Sequence, residues 1–232
     1  MTALEIVMVS LSATLVCLIA VIFIIGRVIT KYLTHKVVDY SVLNEFAPEN
    51  PIVFLGDSLT DLFPVHEFLP DERIINRGIS NETTFDVEKR LDDIIVLKPR
   101  AVFLLVGIND YLRLKKKSEP RTVAERVITI ADKLSSVCSD VRVISLYPIN
   151  PKKTKISAFY LRKTTNEKIN STNAILRKLC IEKGYKYIDI HSYLIDENGY
   201  LKADYTIEGL HLNLKGYAAL TPYYKEQLNS IE

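Results

Sequence analysis

Five short apolar runs, separated by longer stretches of helical spacing, constrain this chain more than any other feature. The runs lie at residues 52–55 (IVFL), 73–76 (RIIN), 101–106 (AVFLLV), 141–146 (VRVISL) and 187–190 (YIDI). Short continuous apolar runs are what strands covered on both faces look like. Apolar residues three or four apart mark helices instead. One such series is Val87, Leu91, Ile94 and Ile95; a second is Val123, Val127, Ile130, Leu134 and Val137. A third is Ile169, Leu176, Leu179 and Cys180, and the last is Leu214, Tyr217, Leu220, Tyr224 and Leu228. Strands alternating with helices of this length connect by right-handed crossovers, which predicts an α/β fold with a five-stranded parallel sheet. In open sheets of this kind, sites form beyond the carboxyl ends of the strands.

The chain of 232 residues is long enough for one ordinary domain with an appendage. Its 30 basic and 28 acidic residues nearly balance, and it carries no nucleic-acid-binding signature, so no nucleic-acid partner is expected. The three cysteines, Cys17, Cys138 and Cys180, form no CxxC pair. They suit neither a disulfide framework nor a metal site, and no metal or cofactor is expected.

The appendage is N-terminal. Residues 6–25 (IVMVSLSATLVCLIAVIFII) carry no charge. About 20 residues at ~1.5 Å each span ~30 Å, the thickness of a bilayer's hydrocarbon core. A cleaved signal peptide would have a basic start, a shorter apolar run and a small-residue cleavage site. Here Glu5 precedes the run and Gly26-Arg27 follows it. Residues 1–30 are therefore expected to be a retained transmembrane anchor, with the bilayer as partner through residues 6–25. Arg27, Lys31 and Lys36 follow the span, a bias that weakly favours a cytoplasmic domain. Leu33, Val37, Val38, Val42, Leu43 and Phe46 predict an amphipathic juxtamembrane helix over 31–47, ended by Pro48 and Pro51. The globular domain is then 48–232.

Four polar clusters follow the predicted strands: Gly56-Asp57-Ser58, Arg77-Gly78-Ile79-Ser80, Gly107-Ile108-Asn109-Asp110 and, further along, Glu208-Gly209-Leu210-His211. An ester-cleaving serine needs a base, a group that orients the base, and donors aimed at the developing oxyanion. Ser58 sits where a strand gives way to a helix, and offers both a hydroxyl and an N–H. Asn109 offers a side-chain amide and Gly78 a backbone N–H with no Cβ in the way. His211 offers the imidazole. Glu208, three residues earlier, could orient it, with Asp204 or a backbone carbonyl as alternatives. Asp57 and Asp110 read as carboxylates that fix the loops. His35, His66 and His191 read as structural or solvated.

In this order the four blocks resemble the SGNH (GDSL) hydrolase superfamily. The wording VFLGDSLTD, INRGISNETT, VFLLVGIND and GLHLNLKGY is similar to its bacterial branch of platelet-activating-factor-acetylhydrolase-like and lysophospholipase-like esterases. The resemblance covers roughly residues 50–230. It implies a flavodoxin-like three-layer α/β/α sandwich and serine ester hydrolysis without metal or cofactor. It also implies an oxyanion hole of Ser58 N–H, Gly78 N–H and Asn109. Two positions depart from the family pattern: Glu208 stands where Asp is usual, and Asn81 stands where GISGDTT has glycine. Asn tolerates a left-handed backbone better than most residues.

Two basic segments should edge the site. One holds Arg113, Lys115, Lys116, Lys117 and Arg121. The other holds Lys152, Lys153, Lys155, Arg162 and Lys163 with Phe159 and Tyr160. Besides a solvated surface, they could form a rim for an anionic polymer or anionic lipid headgroups. The expected substrate is a short acyl ester, an O-acetyl on a carbohydrate or glycopolymer. A lysophospholipid or lipid acyl ester, and acyl transfer, are the alternatives. Outside catalysis, a membrane-tethered binding module on a degenerate hydrolase fold would also fit. Nothing in the sequence fixes an oligomeric state.

Overall fold

Residues 52–56 alternate their side chains between two faces, and both faces are covered. That fact organises the computed structural model, which describes residues 2–34, 40–114 and 119–231. The strands are β1 (Ile52–Gly56), β2 (Ile74–Gly78), β3 (Ala101–Leu105), β4 (Val141–Ile144) and β5 (Lys186–Ile188). All pair in parallel, in the order β2-β1-β3-β4-β5. This is the expected α/β fold with a five-stranded parallel sheet.

The helices, in chain order, are α1 (Ala3–Thr34), α2 (Tyr40–Asn44), α3 (Ser58–Asp61), α4 (Val65–Phe68), α5 (Thr84–Lys89) and α6 (Asp92–Ile95). They continue with α7 (Ile108–Arg113), α8 (Pro120–Leu134), α9 (Lys155–Tyr160), α10 (Asn166–Lys183), α11 (His191–Leu194) and α12 (Leu214–Asn229). Two apolar cores flank the sheet. Ile52, Phe54, Ala101, Phe103 and Leu105 face one, with Leu59, Phe63, Ile108, Tyr217, Leu220 and Tyr224. Val53, Leu55, Val102 and Leu104 face the other, with Val87, Ile94, Val127, Ile130, Leu176 and Cys180. The strict alternation along β1 and β3 is the period of a strand, so the apolar runs serve two cores at once.

The chain divides into two compact units, Met1–Tyr40 and Ser41–Glu232. The first is dominated by α1, whose Met8–Gly26 stretch has a mean hydropathy of 2.8 and is long and apolar enough to cross a membrane. Thr2 and Glu5 cap the start of α1 reciprocally. The predicted amphipathic helix over 31–47 falls partly on residues 35–39, which lie outside the described residues; α1 runs to Thr34 and α2 resumes at Tyr40.

The predicted helix around 87–95 is two helices. Thr83 and Asp86 form a capping box at the start of α5, Arg90 ends it, and α6 begins two residues later. The longer helices follow their apolar stripes. Thr165 caps α10 at Lys168 N–H, and Gly184 ends it in the left-handed conformation. At the opposite end of the sheet from Ser58, Arg142 is fully buried and bonds Asp140 through Nε at 2.9 Å.

Candidate active site

The site grows from the carboxyl ends of β1, β2 and β3, where the strand order reverses direction, the usual binding crevice of such sheets. Asp57 leaves β1 in an extended conformation and caps α3, its Oδ1 accepting from Leu59 N–H at 3.0 Å. That turn makes Ser58 the first residue of α3, immediately beyond the strand. Gly78, paired with Gly56 across the strands, lets α3 come close: a Cβ there would lie 2.2 Å from Asp61 N.

His211 arrives from the other end of the chain. Thr206 and Leu212 bridge in antiparallel fashion, and Thr206 Oγ1 donates to His211 O at 2.8 Å while accepting from Gly209 N–H at 2.8 Å. The tight loop this makes brings Glu208 and His211 side by side. Glu208 Oε1 lies 2.5 Å from His211 Nδ1 and accepts from His211 N–H at 3.2 Å. His211 Nε2 lies 2.9 Å from Ser58 Oγ. Carboxylate, imidazole and hydroxyl thus form one continuous hydrogen-bonded chain. Asp204 takes no part in it; its main-chain carbonyl accepts from Asn213 Nδ2 at 2.8 Å.

Electrostatics match this order. Burial pushes the Glu208 carboxyl up, but hydrogen bonding and charge from His211 bring it below its ordinary value, so it remains a carboxylate beside the imidazole. Asp57 behaves oppositely. Complete burial pushes it up to about 7, against the opposing pull of Leu59 N–H and His211. Its Oδ2 has no hydrogen-bond partner.

Asn109 opens α7 beyond β3 and donates through Nδ2 to Glu82 O at 2.9 Å, which leaves the second amide hydrogen for a ligand. Asp110 follows it and accepts from Thr84 Oγ1 and Thr84 N–H. Burial raises the Asp110 carboxyl despite these bonds. Arg90 binds Glu82 at 2.6 Å and donates to Arg77 O at 2.9 Å, so the loop after β2 is pinned from two sides.

Gly78 is placed differently from what an open oxyanion donor requires. Its N–H donates to Asn76 Oδ1 at 2.8 Å, and Asn76 Nδ2 donates in turn to Thr60 O and Phe63 O. Asn76 thus binds β2 to the α3 turn, and Gly78 belongs to that brace. Three residues on, Asn81 has φ of 70°, and no group among the described residues accepts from its N–H. Ser58 N–H is likewise without an acceptor. The sequence carried a signal for Asn81, namely an asparagine where a glycine is usual, but not for Asn76.

On the rim, Lys153 Nζ donates to Ala203 O at 2.6 Å, and Lys152 Nζ lies 4.6 Å from the Tyr200 ring centre. Phe159 and Tyr160 are exposed on α9. Ser157, on the inner side of α9, donates to Glu208 O, so α9 adjoins the loop that carries Glu208 and His211. Lys115, Lys116 and Lys117 lie outside the described residues. Among the described residues, no group of three His, Cys, Asp or Glu side chains is placed to hold a metal ion.

A search of curated protein sequences gives no match. Among solved structures, a Streptococcus pneumonia protein described as a candidate platelet activating factor matches at 25% identity and a TM-score of 0.71, over 90% of this chain and 98% of its own. A GDSL-like lipase from Bacteroides thetaiotaomicron matches at 22% identity and a TM-score of 0.68, over 82% of this chain and 95% of its own. A catalytic mutant of an acetylxylan esterase from Geobacillus stearothermophilus shares the fold at 15% identity and a TM-score of 0.60, over 80% of this chain and 96% of its own. The sequence model of the GDSL-like Lipase/Acylhydrolase family matches residues 54–219, a span that includes Ser58, Asn109, Glu208 and His211. The chain is therefore a member of the GDSL-like lipase/acylhydrolase family, whose activity is ester hydrolysis.

Proposed function

We propose that this protein is a membrane-anchored serine esterase that removes a short acyl group, an O-acetyl, from a carbohydrate or glycopolymer. The observation that carries the reading is the unbroken chain from Glu208 through His211 to Ser58, at 2.5 and 2.9 Å. Residues 1–30 serve as the anchor, 31–47 as the connector and 48–232 as the catalytic domain.

Ser58 Oγ attacks the ester carbonyl as His211 Nε2 takes its proton. Glu208 holds the imidazole in the tautomer that leaves Nε2 free, and stabilises the imidazolium that forms. The tetrahedral oxyanion is met by Ser58 N–H and the free amide hydrogen of Asn109. Gly78 N–H, the third donor expected from the sequence, donates to Asn76 Oδ1 in the resting site and would exchange that bond for the oxyanion. Collapse expels the alcohol, which takes the proton from His211. Water, deprotonated by the same imidazole, then attacks the acyl-enzyme and releases the acid, and Ser58 regains its proton.

A short acyl group is supported by the polar character of the oxyanion side, where Asn81, Glu82, Asn109 and Arg113 cluster; Arg113 donates to Asn81 O. The acetylxylan esterase fold match is compatible with this choice. A lipid acyl ester is the second reading, favoured by exposed Ile156 and Phe159 on α9 beside Glu208.

The test is turnover of p-nitrophenyl esters from acetyl to palmitoyl by the full chain in detergent, beside Ser58→Ala. The expected result is Ser58-dependent turnover that falls steeply with chain length. A preference for long chains would turn the assignment to lipid. Parent and Ser58→Ala both inert would leave a binding module.

A further inference from the structure

Helix α9 wears its side chains inside out for a surface helix. Ser157 is 1% exposed, whereas Ile156 is 77% and Phe159 is 70% exposed. Thr154 caps the helix by accepting from Ser157 N–H at 2.9 Å, so this orientation is fixed at its first turn. Along the segment that carries this apolar face the charge has one sign. Residues 150–165 (NPKKTKISAFYLRKTT) contain five cations, Lys152, Lys153, Lys155, Arg162 and Lys163, and no acid. Among the described residues, none of the five is ion-paired. Arg162 lies 4.0 Å over the Phe159 ring, so cation and apolar face are presented together.

We propose that α9 docks on an anionic bilayer surface, Ile156 and Phe159 entering the interface and the cations meeting headgroup phosphates. A lipid interface supplies an apolar phase and negative charge in one place. A soluble anionic polymer offers only the charge and leaves Ile156 and Phe159 in water. A second copy of this face would bring five more cations against the first, which disfavours self-association about a two-fold axis. The anchor proposed for residues 1–30 keeps the domain at high local concentration near such a surface.

The docking helix is joined to the loop of Glu208, the carboxylate that orients His211. Ser157 Oγ donates to Glu208 O, and Asn150 N–H donates to Gly209 O at 2.7 Å. Gly209 has φ of 95°, and a Cβ there would lie 2.2 Å from Asn150 O, so the two segments touch backbone to backbone. A surface that settles α9 therefore also settles Glu208. This consequence rests on the esterase reading; the docking itself does not.

The sequence contains no tryptophan, so Phe159→Trp creates a single fluorescent reporter. The full chain would be placed in nanodiscs of phosphatidylcholine, alone or mixed with phosphatidylglycerol, with and without brominated acyl chains. Ile156→Trp provides a second reporter on the same face and Tyr193→Trp a control elsewhere. The expected result is blue-shifted emission quenched by brominated lipid in anionic discs for positions 156 and 159, and water-like emission at 193. Each cation near an anionic surface is worth roughly fivefold in partitioning, so Lys155→Gln with Arg162→Gln should weaken docking roughly 25-fold. Water-like emission at 156 and 159 in both disc types would overturn the proposal. So would a shift produced by soluble polyphosphate but not by anionic discs, which would make the face a polymer site. None of these readings requires turnover, so a failed esterase assignment leaves them intact. For the link to Glu208, the parent should turn over faster in anionic than in neutral discs, and Ser157→Ala should bring that ratio towards one while emission at 159 stays blue-shifted. An unchanged ratio would sever docking from catalysis.

Discussion

Asp110 holds Thr84 by both of its polar groups, the hydroxyl at 2.5 Å and the N–H at 2.9 Å. The loop after β3 and the loop after β2 are thereby one body, and Asn109, which bonds Glu82 O, rides on it. Removing the carboxylate lets Asn109 drift from the oxyanion position, and displacement by about 1 Å is worth ~10²-fold in rate. Asp110→Ala is expected to lower kcat by about that factor with a smaller change in KM. Asn109→Ala, which removes the donor itself, should lower kcat by ~10² to 10³. Steady-state kinetics on p-nitrophenyl acetate compares the two.

Glu208 is one methylene longer than the usual aspartate, and its loop is built around that length, since Oε1 serves both His211 Nδ1 and His211 N–H. Glu208→Gln should lower kcat by up to about 10⁴-fold, the scale seen when the orienting carboxylate of such a triad becomes an amide. Glu208→Asp should fall between parent and Gln, because a gap of about 1 Å opens at Nδ1. Asp matching or exceeding the parent would show that the loop is not tuned to Glu.

Asn81 at φ of 70° gives a contrast between strain and chemistry. Asn81→Gly keeps the N–H and the left-handed backbone, so kcat and Tm should stay close to the parent. Asn81→Val puts a β-branched residue where left-handed geometry is disfavoured by roughly 1–2 kcal/mol, and Tm should fall. Gly78→Ala should be worse than either, because its Cβ meets the α3 backbone at 2.2 Å. Thermal melts of the three variants rank them.

Asp57 makes stability depend on pH with a definite sign. Its folded pKa, about 7, is above its ordinary 3.8. Below the ordinary value the carboxyl is neutral in both states, and its contribution to stability is fully present. As pH rises towards about 7, the unfolded chain ionises while the folded chain stays neutral, and that contribution is lost. Asp57→Asn keeps an acceptor for Leu59 N–H and does not titrate. Its Tm should therefore vary less between pH 4 and 7 than the parent's, as measured by calorimetry across that range. Equal slopes would remove Asp57 from the account.

Arg142 and Asp140 test the scaffold apart from the site. Asp140→Ala leaves a fully buried guanidinium without its carboxylate, a loss of about 3–5 kcal/mol. Arg142→Met, of similar length and apolar, should be destabilised less. Denaturant titration reads the difference, and kcat of the folded fraction should be unchanged in both.

The parts of this fold legible in the sequence were those whose burial has a period. Strands β1 and β3 serve two cores, and α8, α10 and α12 each turn one stripe inward, so hydrophobicity alone located them. Ser58, Asn109 and His211 could be located because sites in parallel sheets lie past the strand ends, and because their blocks resemble a known family. Helix α9 was not legible, since six residues with Ile and Phe outward and Ser inward reverse the pattern that marks a helix. The break between α5 and α6 was hidden for another reason: a capping box and a local turn override an apolar spacing that runs through both. The engagement of Gly78 was illegible too. Asn76 Oδ1 reaches a backbone N–H only two residues away, a local side-chain bond that no periodicity announces.

Ser58 and His211 are separated by 153 positions in the chain yet share a hydrogen bond. Synthesis therefore delivers the nucleophile long before its base. With residues 1–30 as an anchor, the N-terminal helix can enter a membrane while the emerging domain still lacks its base. On the esterase reading, the nascent chain is inert until the loop carrying Glu208 and His211 has emerged and brought His211 to Ser58. On the esterase reading, a chain cut short before that loop would have no hydrolytic activity, so the late placement of the base acts as a check on completion.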